Sequence, residues 1–186
     1  MILGPTRIGK STVAAGVARA LGLRHVQMDD HTYWWHKPEH EAQPLVFLRE
    51  REARRLAGRI MRQAEGRKAV ILDSYMLLSA LTSAPRACAD WIREGRIVVL
   101  SSDASLDDRL AAIHSHRSVG RCWTSGLTAE QVRQVAQRSV RECRMVNDLA
   151  ERYDFPVHML DPHAFEASAR AAADRIGRLV SGQSAP

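Results

Sequence analysis

The stretch Gly4-Pro5-Thr6-Arg7-Ile8-Gly9-Lys10-Ser11 matches the pattern G-x-x-x-x-G-K-S/T, and its reading decides the fold. Glycines at both ends allow backbone dihedrals that a side chain would block, so successive N–H groups can turn inward on an anion. Lys10 reaches the outer phosphates as a mobile point charge, and Ser11 offers a hydroxyl to a magnesium ion. A helix starting at this point directs the positive end of its dipole at the same place. Gly4, Thr6, Arg7, Ile8, Gly9, Lys10, Ser11 and Thr12 therefore form the candidate phosphate-binding set.

Such a loop should follow a strand and open a helix. Downstream, STVAAGVARALGL carries Val13, Val17 and Leu21 at helical spacing and then Gly22 as a stop signal. Upstream only Met1-Ile2-Leu3 remain, whereas a strand usually runs to about five residues. Either the first strand is short or the true start lies upstream of Met1.

The chain has 186 residues, 45% of them hydrophobic, which suits one domain, 1–186, with a proper core. It shows no apolar run of membrane-spanning length and no signal peptide, and a cytoplasmic location is expected. Cys88, Cys122 and Cys143 are odd in number and widely spaced, so they read as reduced thiols. The 27 Lys+Arg against 21 Asp+Glu give a net charge of +6. That surface suits phosphorylated ligands and is compatible with nucleic acid, so charge alone does not choose.

Apolar, β-rich runs at 24–28, 68–73, 96–102 and 155–161 alternate with helical patterns near 45–65, 84–94, 105–115, 128–153 and 163–181. This alternation predicts an α/β fold, a parallel sheet covered on both faces. Arg-rich 49–68 resembles a nucleic-acid patch at first sight. Its arginines are interleaved with Glu50, Glu52 and Glu65, and Leu56, Ile60 and Met61 recur on one side, as in a solvated amphipathic helix. The tail 181–186 is expected to fray.

Asp73 ends the run AVILD, where a magnesium-organising acid would sit, although a helix N-cap is the other reading. Ser74 follows it, not the glutamate that many motor-type ATPases use to activate water. Asp29 and Asp30 close the second strand, at the edge that lines the ligand crevice in a parallel sheet. One carboxylate there can take the proton of an acceptor hydroxyl while the other orients the substrate or caps a helix. Asp29 is the preferred base.

With the phosphate loop, MDD followed by an aromatic, and the VILD strand, the chain resembles small P-loop kinases. DDHTYWW is similar to the DDFY element of uridine kinase and phosphoribulokinase relatives and to the RDDY of phage polynucleotide kinase, with His31 and Thr32 inserted before Tyr33. Shikimate and gluconate kinases share the layout. The resemblance implies a three-layer α/β/α sandwich with a five-stranded parallel sheet of order 2-3-1-4-5 and a small lid. It implies ATP and Mg2+ as cofactors, with Asp29 activating the hydroxyl to be phosphorylated. The lid would be 115–128, with Gly120 and Gly126 as flexible points and Arg117 and Arg121 closing on the phosphates. Arg109 would pack near the adenine, and LDPHAF at 160–165 would form an adenine-binding loop. Arg133, Arg138, Arg141 and Arg144 are irregularly spaced on the following helix, and most read as solvated.

His31, His36, His40, His114 and His116 invite a metal reading, but no H-E-x-x-H or cysteine pair supports one. Tyr33-Trp34-Trp35 either stacks on a base or sugar or covers the substrate subdomain. The expected activity is Mg-ATP-dependent phosphoryl transfer to a hydroxyl of a small molecule, with Lys10, Asp29, Arg117 and Arg121 catalytic and Ser11 and Asp73 holding the metal. A polynucleotide 5′-hydroxyl kinase and a nucleotide-binding regulator or slow NTPase without an acceptor are the alternatives.

Overall fold

Strands and helices alternate along the backbone of the computed structural model, which describes residues 1–5, 7–27, 70–74, 78, 81–82, 84–118 and 123–181. The elements are β1 (Ile2–Leu3), α1 (Lys10–Leu21), β2 (Arg24–Gln27), β3 (Val70–Ser74), α2 (Pro85–Arg93), β4 (Val98–Ser101), α3 (Leu106–Ser118), a 3-10 turn (Trp123–Gly126), α4 (Ala129–Tyr153), β5 (Val157–Met159) and α5 (Phe165–Val180). Among the described residues all strand pairings are parallel, and the sheet order is β2-β3-β1-β4-β5, the order that the kinase resemblance implies.

Alternation along each strand splits the core into two faces. Ile2, Val98 and Leu100 pack with Val13, Ala14 and Val17 of α1 and with Ala169, Ala172, Ala173 and Ile176 of α5. Leu3 and Val99 pack on the opposite side with Cys88, Ala89 and Ile92 of α2 and Val146 of α4. Each fully buried aliphatic side chain here contributes about 1.5–3 kcal/mol relative to exposure. The alanine-rich faces of α1 and α5 approach closely: a Cβ on Gly16 would stand 3.1 Å from that of Ala173. A third cluster, Ile113, Val132 and Ala136 with Leu106, Leu110, Leu127 and Val135, joins α3 to α4.

Helix ends follow their sequence signals. Gly22 closes α1 in the left-handed region at φ 64°. At α4, Thr128 Oγ1 accepts from the Gln131 N–H at 3.2 Å, while Gln131 Oε1 accepts from the Thr128 N–H at 2.8 Å. The same reciprocal device opens α3. There Ser105 Oγ accepts from the Asp108 N–H at 3.1 Å, and Asp108 Oδ2 accepts from the Ser105 N–H at 3.0 Å.

Two boundaries differ from the sequence reading. The segment expected as a lid from 115 is still helical through Ser118, because α3 continues beyond the 105–115 pattern. At its other end, Gly126 belongs to the 3-10 turn, where Thr124 is fully buried and its carbonyl accepts from the Leu127 N–H at 3.1 Å. Strand β1 is two residues long, and pairing on both sides compensates for its length: Ile2 faces Asp73 in β3 and Val98 in β4. The helix expected near 45–65 and the arginine-rich 49–68 lie outside the described residues, as do His31, His36, His40, Tyr33, Trp34 and Trp35. Among the described residues no group of three metal-ligating side chains converges, and no helix is long and apolar enough to cross a membrane. Cys88 and Cys143 are buried free thiols, and burial pushes the Cys88 pKa up to about 12.

Candidate phosphate-binding site

Parallel strands bring their carboxyl ends to one edge of the sheet, and the loop 4–9 leaves β1 at that edge. Gly4 is buried where no side chain fits: a Cβ would stand 2.9 Å from the Leu100 carbonyl oxygen and 3.0 Å from Ile8 Cγ2. The Ile8 N–H turns back on the Pro5 carbonyl at 3.4 Å, and Lys10 Nζ donates to the same oxygen at 2.9 Å. Arg7 sits in the left-handed region at φ 61°, and Gly9 is at φ 100° as the N-cap of α1. Gly9 has no side chain to cap the helix, and the first turn of α1 contains no acid. The positive end of α1 thus faces the loop without a carboxylate of its own to neutralise it.

The loop is held from two sides. Phe165, the first residue of α5, lays its ring against Gly9, whose Cβ would meet Cε2 and Cζ at 2.6 Å. On the other side Arg109 of α3 donates from Nη1 to the Arg7 carbonyl at 3.3 Å, and its Nη2 faces Cys143 Sγ of α4 at 3.9 Å. Arg109 is only 6% exposed, and burial pulls its pKa below the ordinary arginine value. The Cys143 thiol is raised chiefly by burial, which the Arg109 charge partly offsets.

The segment 160–165 lies beside this site. The Asp161 carboxylate accepts from the His163 N–H at 2.8 Å, and His163 Nε2 approaches Asp108 Oδ1 at 3.8 Å, linking the segment to the start of α3. Hydrogen bonds from Ser105, first its side chain and then its backbone, hold the Asp108 carboxyl below the usual carboxylate range.

Of the expected site residues, Gly4, Arg7, Ile8, Gly9, Lys10, Ser11 and Thr12 form this loop and the first turn of α1, and Arg109 packs behind it. Strand register puts the Asp73 backbone opposite Ile2 and Gln27, at the same edge of the sheet. The backbone of Arg117 lies in the last turn of α3. Thr6, Asp29, Asp30, Gly120 and Arg121 lie outside the described residues. The sequence reading placed Phe165 within the adenine-binding segment 160–165 but did not pair it with Gly9, and it did not single out Cys143 as part of the site.

No family model matches the chain, and a search of curated proteins finds no match. Among solved structures, the chain is similar to a gluconokinase from Sinorhizobium meliloti 1021, with a TM-score of 0.52 and 18% identity over 99% of this chain and 95% of that one. The chain therefore has an α/β fold similar to that of this kinase.

Proposed function

We propose that the protein is a phosphotransferase that moves the γ-phosphate of ATP to a hydroxyl of a small molecule. The observation that carries this reading is the loop itself: Gly9 at φ 100° opening a helix with no side-chain cap, with Lys10 beside it at the carboxyl edge of a parallel sheet. The gluconokinase neighbour supports the choice of a small acceptor over a polynucleotide.

In this reading the loop N–H groups and the first turn of α1 hold the phosphates. Lys10 exchanges its contact with the Pro5 carbonyl for the outer phosphate oxygens. The donor set suits magnesium as well: Ser11 is exposed in the first turn of α1, and Asp73 is the penultimate residue of the neighbouring strand β3. Those two residues would hold Mg2+, which when bound neutralises charge on the phosphate oxygens. Asp29 takes the proton of the acceptor hydroxyl, and Arg117 and Arg121 complete the charge stabilisation.

Incubation with γ-labelled ATP and a panel of sugars, nucleosides and other small hydroxyl compounds tests the proposal. Label is expected in one acceptor class, and Lys10→Ala is expected to abolish transfer. Near-normal transfer by Lys10→Ala would sink the assignment. Label passing only to a 5′-hydroxyl oligonucleotide, or only to water, would replace it with one of the two alternative readings.

A further inference from the structure

Arg109 is a charged side chain buried in a place where an apolar one would pack at less cost. Its surroundings define what it does there. The guanidinium lies between α4 and the back of the phosphate loop, with Nη1 on the Arg7 carbonyl and Nη2 on Cys143 Sγ. Its Nε has no hydrogen-bond partner among the described residues. The loop residue it grips, Arg7, holds a left-handed backbone at φ 61°, a conformation that a non-glycine residue adopts only against a steric cost. A left-handed residue within a turn re-aims the peptide that follows it, and a donor on its carbonyl fixes that orientation. Phe165 already blocks the loop from the side of Gly9, so the two contacts bracket the residues that face an anion.

We infer that Arg109 is a positioning residue: it sets the phosphate loop from behind through the Arg7 carbonyl and does not act on the nucleotide base. The inference rests on the reading of loop 4–11 as a phosphate site. It departs from the adenine-side position that the kinase resemblance implies for this arginine, and the two placements predict different ligand dependence. An arginine stacked on a base affects only ligands that carry a base. An arginine that shapes the loop affects any polyphosphate.

The test is calorimetric titration of the full chain with MgATP and, separately, with magnesium tripolyphosphate, which has no base. Wild type, Arg109→Met and Arg109→Lys are compared, and the melting temperature of each is recorded. The Met variant is expected to lose roughly ten-fold in affinity for both ligands alike. Lys, which keeps one charged donor, is expected to recover part of the loss, and neither variant should melt more than a few degrees below wild type. Unchanged tripolyphosphate binding in Arg109→Met overturns the inference, whether or not MgATP binding falls. If the Met variant does not fold, the Lys variant carries the comparison, and failure of both to fold assigns the residue to the fold and also overturns it. Wild type binding neither ligand refutes the phosphate-site reading itself, whereas the inference alone fails only at the variants.

Discussion

Replacing Gly9 by alanine should destabilise the protein by two separable effects. The first is backbone: Gly9 is at φ 100°, and a residue with a Cβ in the left-handed region costs about 1–2 kcal/mol. The second is steric. The new methyl would stand 2.6 Å from both Cε2 and Cζ of Phe165, closer than carbon atoms approach, so either the loop or the start of α5 must move. Overpacking of that kind costs about 1–3 kcal/mol, which brings the expected total to about 2–5 kcal/mol. Urea unfolding followed by circular dichroism measures it, with Phe165→Ala and the double variant completing a cycle. In the cycle the steric part should vanish and the backbone part should persist, giving a coupling of about 1–3 kcal/mol. A Gly9→Ala protein within about 0.5 kcal/mol of wild type, or a coupling near zero, would refute the claim that Phe165 and a strained glycine fix the loop.

Three further outcomes are expected. Thr128→Ala removes the acceptor for the Gln131 N–H and should cost about 0.5–2 kcal/mol in urea unfolding, with Thr128→Ser recovering most of it. Cys88, pushed up to about 12 by burial, should react with a thiol reagent at pH 8 more than about a hundredfold faster in denaturant than in the native protein. Equal rates would show that α2 does not bury it. His158 in β5 is lowered by burial first and by Arg175 second, so folding favours its neutral form. Its contribution is complete above the ordinary histidine value of about 6.5 and is lost as the pH falls below that value through the folded one. Wild type should therefore lose more stability than His158→Asn between neutral and mildly acidic pH, and parallel losses would contradict it.

Much of this architecture was legible because its signals are local. The glycines and Lys10 mark the loop, and Gly22 marks the end of α1. Each needs only a few neighbouring residues to act. Strand β1 shows the limit: the sequence leaves open whether the first strand is merely short, and Ile2 and Leu3 are held as a strand by pairing with β3 and β4 on either side. Arg109 and Phe165 show the same limit at the site. Arg109 meets the loop across more than a hundred residues, and Phe165 meets Gly9 from the far end of the chain, so no sequence window holds both partners. The length of α3 was missed for a different reason. Its last residues, His114 to Ser118, are polar and carry no apolar periodicity, so helical continuation had no pattern to reveal it.

The most direct test of the account is where the γ-phosphate of ATP goes. With labelled ATP, magnesium and the acceptor panel, wild type and Asp29→Asn would be run side by side and the label divided between organic product and inorganic phosphate. The account predicts label in a small hydroxyl acceptor with wild type, and little or none with Asp29→Asn. Label released only as inorganic phosphate, at the same rate in both proteins, would contradict it.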